Sequence, residues 1–492
     1  MPPSPHSSPA LRSTPATRPS ASGTPGGAAP SLERRLGPLD AAAIIVSNVI
    51  GGGILFTPPQ VAAAVPQAWM FLGVWAVGGL LAFVGAMAYA ELATLRPRAG
   101  GEYVYLRAAY GRLAAFLTGW TSFVAGFSGA VAASAVVLAA YVGRFVPWAN
   151  DSSELFRIPL PWVPLIFSRQ AFVALLAIAL MSWIHLRGVG PGRLVSNVLA
   201  ALKVSALLLF IALGFSIGAG SMSNLEQTAG PVAGSAWLLA LIPVMFTYSG
   251  WNAAAYVAEE IRDPGRNVPR ALAIGTTAVV AIYVLLNLLY LYVLPVGELA
   301  RVDGSVLDVI ADRLLGTRAG DIMGLVSIVS IAASISAMVF AGPRVYYAMA
   351  RDGLFFSAAA RIHSRYRTPA VSIVAQAIMS SLLVLTGSAR ALTVYTGFAV
   401  MLFAGIAVGA LFILRAREPN TPRPFRAIGY PLAPGIFTLA MILIVSNALW
   451  TDLVVPITHD APWGPSAAGL IVIGLGLPVY FLFRGSALKA ED

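Results

Sequence analysis

The sequence contains no cysteine, which excludes disulfides, thiolate metal sites and cysteine nucleophiles. Its four histidines, His6, His185, His363 and His459, are scattered, and no two share the i, i+4 spacing of a helical metal site. No metal and no cofactor are therefore expected. Charge is also scarce. Asp, Glu, Lys and Arg make up 11% of the chain, against roughly 25% in an ordinary soluble domain. A soluble protein of 492 residues could not cover its surface with so few charges. Acids and histidines do not gather at the ends of apolar runs as a membrane-embedded enzyme would need, and no ring of charge or repeated pore motif suggests a channel. Residues 1–36 lack an early apolar run and so carry no signal peptide. Rich in Pro, Ser, Ala, Thr and Gly, they read as a disordered cytoplasmic tail.

What the chain has in abundance is apolar sequence. Hydrophobic residues reach 58% and the mean hydropathy is +0.78. Twelve apolar segments can be delimited, near 39–65, 70–94, 113–143, 170–186, 194–218, 234–258, 270–294, 321–350, 370–386, 391–414, 431–450 and 466–483. Each is close to the roughly 20 residues that cross a bilayer as a helix. The fold class expected is an all-α polytopic membrane protein with 12 transmembrane helices. The net charge of +11 would suggest nucleic acid for a soluble protein, but here it follows the loops. With the N-terminus inside, 24 Lys and Arg fall in cytoplasmic segments and 7 outside, which leaves Lys203 within a span. That asymmetry puts both termini in the cytoplasm, in a plasma (inner) membrane, with the bilayer as partner and no role for nucleic acid.

The first and sixth segments are interrupted at mid-depth. The first holds three consecutive glycines, Gly51, Gly52 and Gly53, each costing a helix roughly 1 kcal/mol relative to alanine. Spaced small residues would suggest a packing patch; a contiguous run reads as a break. The sixth holds Ser249, Gly250 and Asn252. Backbone groups freed at membrane depth cannot face lipid, so they must line a cavity. Segments one and six are five apart, the offset of two inverted five-helix repeats. Half-helix N-termini offer N–H groups to a carboxylate, and freed carbonyls accept from an ammonium. An amino acid satisfies both.

Asn48 to Pro58, NVIGGGILFTP, resembles the first span of permeases of the amino acid–polyamine–organocation superfamily. Phe246 to Pro269 is similar to that family's sixth span and the loop after it. Pro97 to Gly111 (PRAGGEYVYLRAAYG) and Arg344 to Gly353 (RVYYAMARDG) match its 2–3 loop and the end of its eighth span. Arg423 to Pro431 (RPFRAIGYP) resembles its 10–11 loop, especially in the L-type amino acid transporter branch. The resemblance implies a LeuT-type 5+5 inverted repeat with discontinuous helices 1 and 6. Residues 37–218 would form the first repeat and 234–414 the second, followed by two further helices in 431–484 and a cytoplasmic end at 485–492. It further implies that a substrate carboxylate meets the amides of Gly51, Gly52 and Gly53. The α-amino group would meet the carbonyls of Val49, Phe246 and Ser249, with the Phe246 ring as a gate and Asn252 beside the break. Many relatives have Ser or Thr at the position of Gly52 and Gly at that of Ser249.

Lys203 lies within the apolar fifth segment. It either snorkels to the cytoplasmic side or has a function. By resemblance it stands where sodium-coupled relatives hold sodium and touches the backbone near Gly51 and Ser334 or Ser336. It would then be either a proton carrier or a fixed charge. Glu259, Glu260, Asp263 and Asp352 read as cytoplasmic pairs with arginines, and Glu91 as a neighbour of Arg96. Glu102 is open between a solvated and a gating role. The expected function is secondary transport of neutral L-amino acids by alternating access, independent of sodium, by proton symport or exchange. A polyamine or other organic amine carrier and a non-transporting sensor are the alternatives. With no cysteine, no disulfide-linked subunit is possible.

Overall fold

A computed structural model describes residues 32–488 apart from 161–163, 218–219, 233, 317, 387–388 and 460–463. The tail therefore lies mostly outside the described residues. Its last part does not hang free, since Leu32 and Leu36 are buried.

Among the described residues, nine helices are long and apolar enough to cross a membrane, and one bent pair would make ten. The pair is the first segment, Pro38–Val49 and Gly53–Ala64, bent by 50°. The second, third, fourth and fifth segments are Ala68–Leu95, Arg112–Val142, Arg169–Leu186 and Val189–Ile217. The seventh and eighth are Pro264–Val293 and Ala319–Arg351. The tenth is Ala389–Arg417, and Leu432–Leu449 and Pro465–Leu488 follow. Two of the twelve segments are shorter helices, the sixth over Gly234–Tyr248 and the ninth over Ala370–Leu385. A short helix, Glu102–Tyr110, fills the 2–3 loop. A small antiparallel hairpin, Phe156–Ile158 with Leu165–Phe167, lies in the 3–4 loop.

These helices are apolar around most of their circumference, which in water would be untenable and in a bilayer is required. Only 28% of the most apolar window of Arg169–Leu186 is buried, against 67% in Ala319–Arg351. The eighth segment is thus central and the fourth peripheral. The first segment packs against the fifth, seventh and eighth, and the second against the seventh. The broken sixth segment sits beside the broken first.

The end carrying the N-terminal segment is tied by ion pairs. Glu260 and Arg344 are 0% and 1% exposed and bond twice, at 2.7 and 3.1 Å. Asp352 holds Arg98 at 3.3 Å, Arg107, and the Tyr103 hydroxyl at 3.0 Å, while Glu259 holds Arg351 at 3.1 Å. Among the described residues Asp263 forms no such pair; it stands at the N-cap position of Pro264–Val293 with a left-handed backbone, φ 45°, and no side-chain capping bond. Glu91 departs from expectation. It takes Arg415 at 2.6 Å and Arg423 at 3.0 Å, while Arg96 reaches Glu418 at 2.5 Å. Glu91 is wholly buried, and Arg415 at the end of the tenth segment, with Arg423 and the Ala427 amide from the loop after it, surrounds it with donors. Breaking a buried pair from one side leaves an uncompensated charge, worth about 3–5 kcal/mol. Glu260→Gln alone and Arg344→Met alone are each expected to lower the melting temperature in detergent sharply. Combining them should recover part of that loss.

At the opposite end Arg144 bridges Asp308, 3.0 Å away, and Asp321, 2.7 Å away. Asp308 starts the short helix Val306–Leu315, outside the spanning helices. Burial pushes its carboxyl up to about 6, with Arg144 and Ser305 pulling the other way. A carboxyl raised above its unfolded value contributes stability below that unfolded value and loses it as pH rises through the folded one. Between pH 4 and pH 7 this site is therefore expected to lower stability. Asp308→Asn should flatten that part of a melting-temperature-against-pH profile, and an unchanged profile would count against the assignment.

Candidate functional site

The first segment breaks at Ile50, whose backbone is extended, and resumes as a helix at Gly53. The carbonyls lost to the helix find partners from three other segments. Lys203, 0% exposed, donates from Nζ to the Ser47 oxygen at 3.1 Å and to the Ile50 oxygen. Ser334 Oγ bonds the same two oxygens at 2.8 and 3.1 Å, and Ser330 Oγ reaches that of Ile50 at 3.2 Å. Lys203 therefore does not snorkel. Its amino end is buried at the break, and the backbone it meets is Ser47 and Ile50, just before Gly51. Ser336 is elsewhere. Two residues along a helix turn the side chain to nearly the opposite face, and Ser336 Oγ lies against His185 Nε2 at 2.9 Å and Ser196 Oγ at 3.2 Å.

The break leaves donors as well as acceptors. Among the described residues, the amides of Gly51, Gly52 and Gly53 have no hydrogen-bond partner. They lie at the head of Gly53–Ala64, where orphan N–H groups and the helix dipole both favour an anion. None of the three glycines has positive φ, so space, not backbone freedom, is what each supplies. A Cβ at Gly51 would lie 2.8 Å from Ser334 Oγ, and one at Gly53 would lie 3.1 Å from the Thr247 Cα. A Cβ at Gly52 would meet nothing nearer than Phe56, at 4.0 Å. Gly51 and Gly53 thus admit neighbouring segments, and Gly52 alone faces open space.

Across from them the sixth segment ends at Tyr248, and Ser249 N–H donates to the Phe246 oxygen at 2.9 Å. Gly250 takes φ +100°, and a Cβ there would strike Asn48 Nδ2 at 2.5 Å. This glycine is needed both for conformation and for contact. The Ser249 carbonyl has no donor among the described residues. The Val49 carbonyl already accepts from the Tyr283 hydroxyl at 2.8 Å, which also approaches the Thr247 oxygen at 3.3 Å. One lone pair remains on Val49 and one on Phe246. The Phe246 ring is half-buried and packs where Gly397 provides room.

Asn252 and Glu102 form a second layer. Asn252 Nδ2 donates to Glu102 Oε1 at 2.8 Å and approaches the Tyr256 hydroxyl at 3.2 Å. The Tyr89 hydroxyl donates to the same carboxylate oxygen at 2.6 Å. Glu102 is 6% exposed, so the solvated reading is excluded. Its carboxyl is raised by burial, and the hydrogen bonds from Tyr89, Tyr256 and Asn252 oppose that. Tyr283, Ser330 and Ser47 escaped sequence reading. A tyrosine or serine in an apolar helix looks the same whether it fills space or binds a broken backbone.

An amino acid permease family model matches residues 36–475. The mouse large neutral amino acids transporter small subunit 2 is 30% identical over 480 residues, covering 95% of this chain and 84% of its own length. The human b(0,+)-type amino acid transporter 1 is 29% identical over 458 residues, covering 92% and 88%. The serine/threonine exchanger SteT of Bacillus subtilis is 26% identical over 454 residues, covering 92% and 97%.

Proposed function

Since the chain belongs to the amino acid permease family, a family of transporters and not enzymes, we propose that it carries neutral L-amino acids across the plasma membrane by alternating access, without sodium. One observation carries this reading: among the described residues, the break of the first segment leaves three unpartnered amides, at Gly51, Gly52 and Gly53, and the break of the sixth segment packed beside it leaves an unpartnered carbonyl at Ser249. The amides suit a carboxylate. The Ser249 oxygen, with the remaining lone pairs of Val49 and Phe246, suits an α-ammonium. The side chain of the substrate would then extend toward the Phe246 ring, with Asn252 behind.

Independence from sodium rests on Lys203. Its ammonium lies among the Ser47 and Ile50 oxygens and Ser334, an all-oxygen setting that would otherwise suit a small monovalent cation. Coupling would run through Lys203 and Ser334, while Ser336, turned to the other face of its helix against His185 and Ser196, would stand apart from them. Names of relatives that specify large neutral amino acids or serine and threonine favour a neutral substrate. Glu102 is buried, with Tyr89 and Asn252 on its Oε1, and so is not an acid exposed to a polyamine.

The repeats would be 37–218 and 234–414, the full count twelve spans, and both termini cytoplasmic, following the 24 to 7 division of basic residues. Some relatives are named as small subunits. Any subunit of this chain would associate without a disulfide, since it has no cysteine.

The test is uptake of labelled amino acids and polyamines into proteoliposomes, with and without internal substrate, an inward proton gradient and sodium. Saturable uptake of a neutral amino acid, unaltered by sodium, is expected. Dependence on the proton gradient alone would identify a symporter, and dependence on internal substrate an exchanger. Failure to move any amino acid would overturn the reading.

A further inference from the structure

Outside the central site, a groove of about 430 Å³ runs along the second and seventh segments at the end that carries Leu36. Its floor is apolar, with Phe83, Met87, Ala273 and Phe425. Its rim holds Arg266 and Arg270, both exposed. The two arginines are i, i+4 on one helix, so their like charges face each other and repel. Arg266 also stands in the first turn of Pro264–Val293, where the helix dipole disfavours a cation. Neither has a carboxylate within ion-pair distance among the described residues, even though Asp263 is close in sequence. By contrast, a second groove between the fourth and ninth segments is lined by apolar residues and serines only, with no charged residue.

We propose that the groove binds one anionic phospholipid, its phosphate between Arg266 and Arg270 and an acyl chain along Phe83, Met87 and Ala273. The apolar floor selects a lipid over a free anion, and the basic rim selects an anionic headgroup over a zwitterionic one. Residues 1–31 do not suit the rim, for they carry Arg12 and Arg18 and no acid. The inference requires only that the chain spans a membrane and is independent of what it transports.

Native mass spectrometry of the purified full chain, offered phosphatidylglycerol or phosphatidylcholine, tests it. The unmodified protein should retain phosphatidylglycerol preferentially. Arg266→Gln with Arg270→Gln should weaken that retention about thirtyfold, as expected for two basic groups near an anionic headgroup. Arg301→Gln, beyond the other end of the same helix, should leave it unchanged. Ala273→Trp keeps both arginines but fills the floor, and should also expel the lipid. Equal retention of the two lipids would overturn the proposal, and so would retention that survives Ala273→Trp. Displacement of phosphatidylglycerol by millimolar inorganic phosphate would show a free-anion site instead and overturn it equally.

Discussion

Gly52→Leu is expected to abolish saturable uptake while leaving the melting temperature unchanged. Gly52 has helical φ and ψ, −61° and −26°, that any residue adopts, and its Cβ direction is open to 4.0 Å. A side chain at Gly52 therefore starts without pressing on a neighbour, and a leucine is expected to reach into the space beside the three free amides. Charge-assisted hydrogen bonds are worth about 1.5–3 kcal/mol each. Losing two would weaken carboxylate binding about a hundredfold or more. The neighbouring glycines make the control. Alanine at Gly53 presses on the backbone of Thr247, and alanine at Gly51 presses on Ser334 Oγ. Both should lower stability, by about 1–3 kcal/mol for overpacking. A leucine at Gly53, which sequence alone would choose to block the carboxylate, is therefore the poorer test, because it would disturb packing as well. Normal transport by Gly52→Leu would remove the glycine amides from the site.

The second large effect is expected at Lys203→Ala. The variant leaves the Ser47 and Ile50 oxygens to the hydroxyls of Ser334 and Ser330 and removes the Nζ that bonds both. Losing two charge-assisted bonds loosens the break itself, so coupled uptake should fall at least about tenfold. Uptake should be read across pH and with counterflow. If only proton-driven uptake is lost and exchange survives, the lysine carries the proton. If both are lost, it is a fixed part of the site. Uptake equal to that of the unmodified protein under every condition would show that the buried ammonium has only a structural role.

Much of this arrangement was legible in the sequence, because bilayer thickness and backbone hydrogen bonding leave few options. Long apolar runs had to be helices, and three glycines in one of them had to interrupt it. Which carbonyls Lys203 would reach was nearly legible, since the break fixes where unpaired oxygens lie. The task of each glycine was not, because it depends on what stands opposite: Ser334, open space and Thr247 in turn. Glu102 was ambiguous for a similar reason. Its loop position suggested water, and only the fold brings Tyr89 and Asn252 over it. The partners of Glu91 were not legible, because Arg415 is 324 residues away along the chain.

The short bridge at Leu36 gives the N-terminal segment mechanical leverage. The Leu36 amide donates to the Glu260 oxygen at 3.0 Å, and the Arg262 amide donates to that of Leu36 at 2.9 Å. The strand is thus stitched to both sides of the turn that presents Glu260 to Arg344. If that ion pair separates during the transport cycle, Leu36 must either travel with the turn or unzip from it. A force applied to the chain just before Leu36 would therefore reach the turn that holds Glu260.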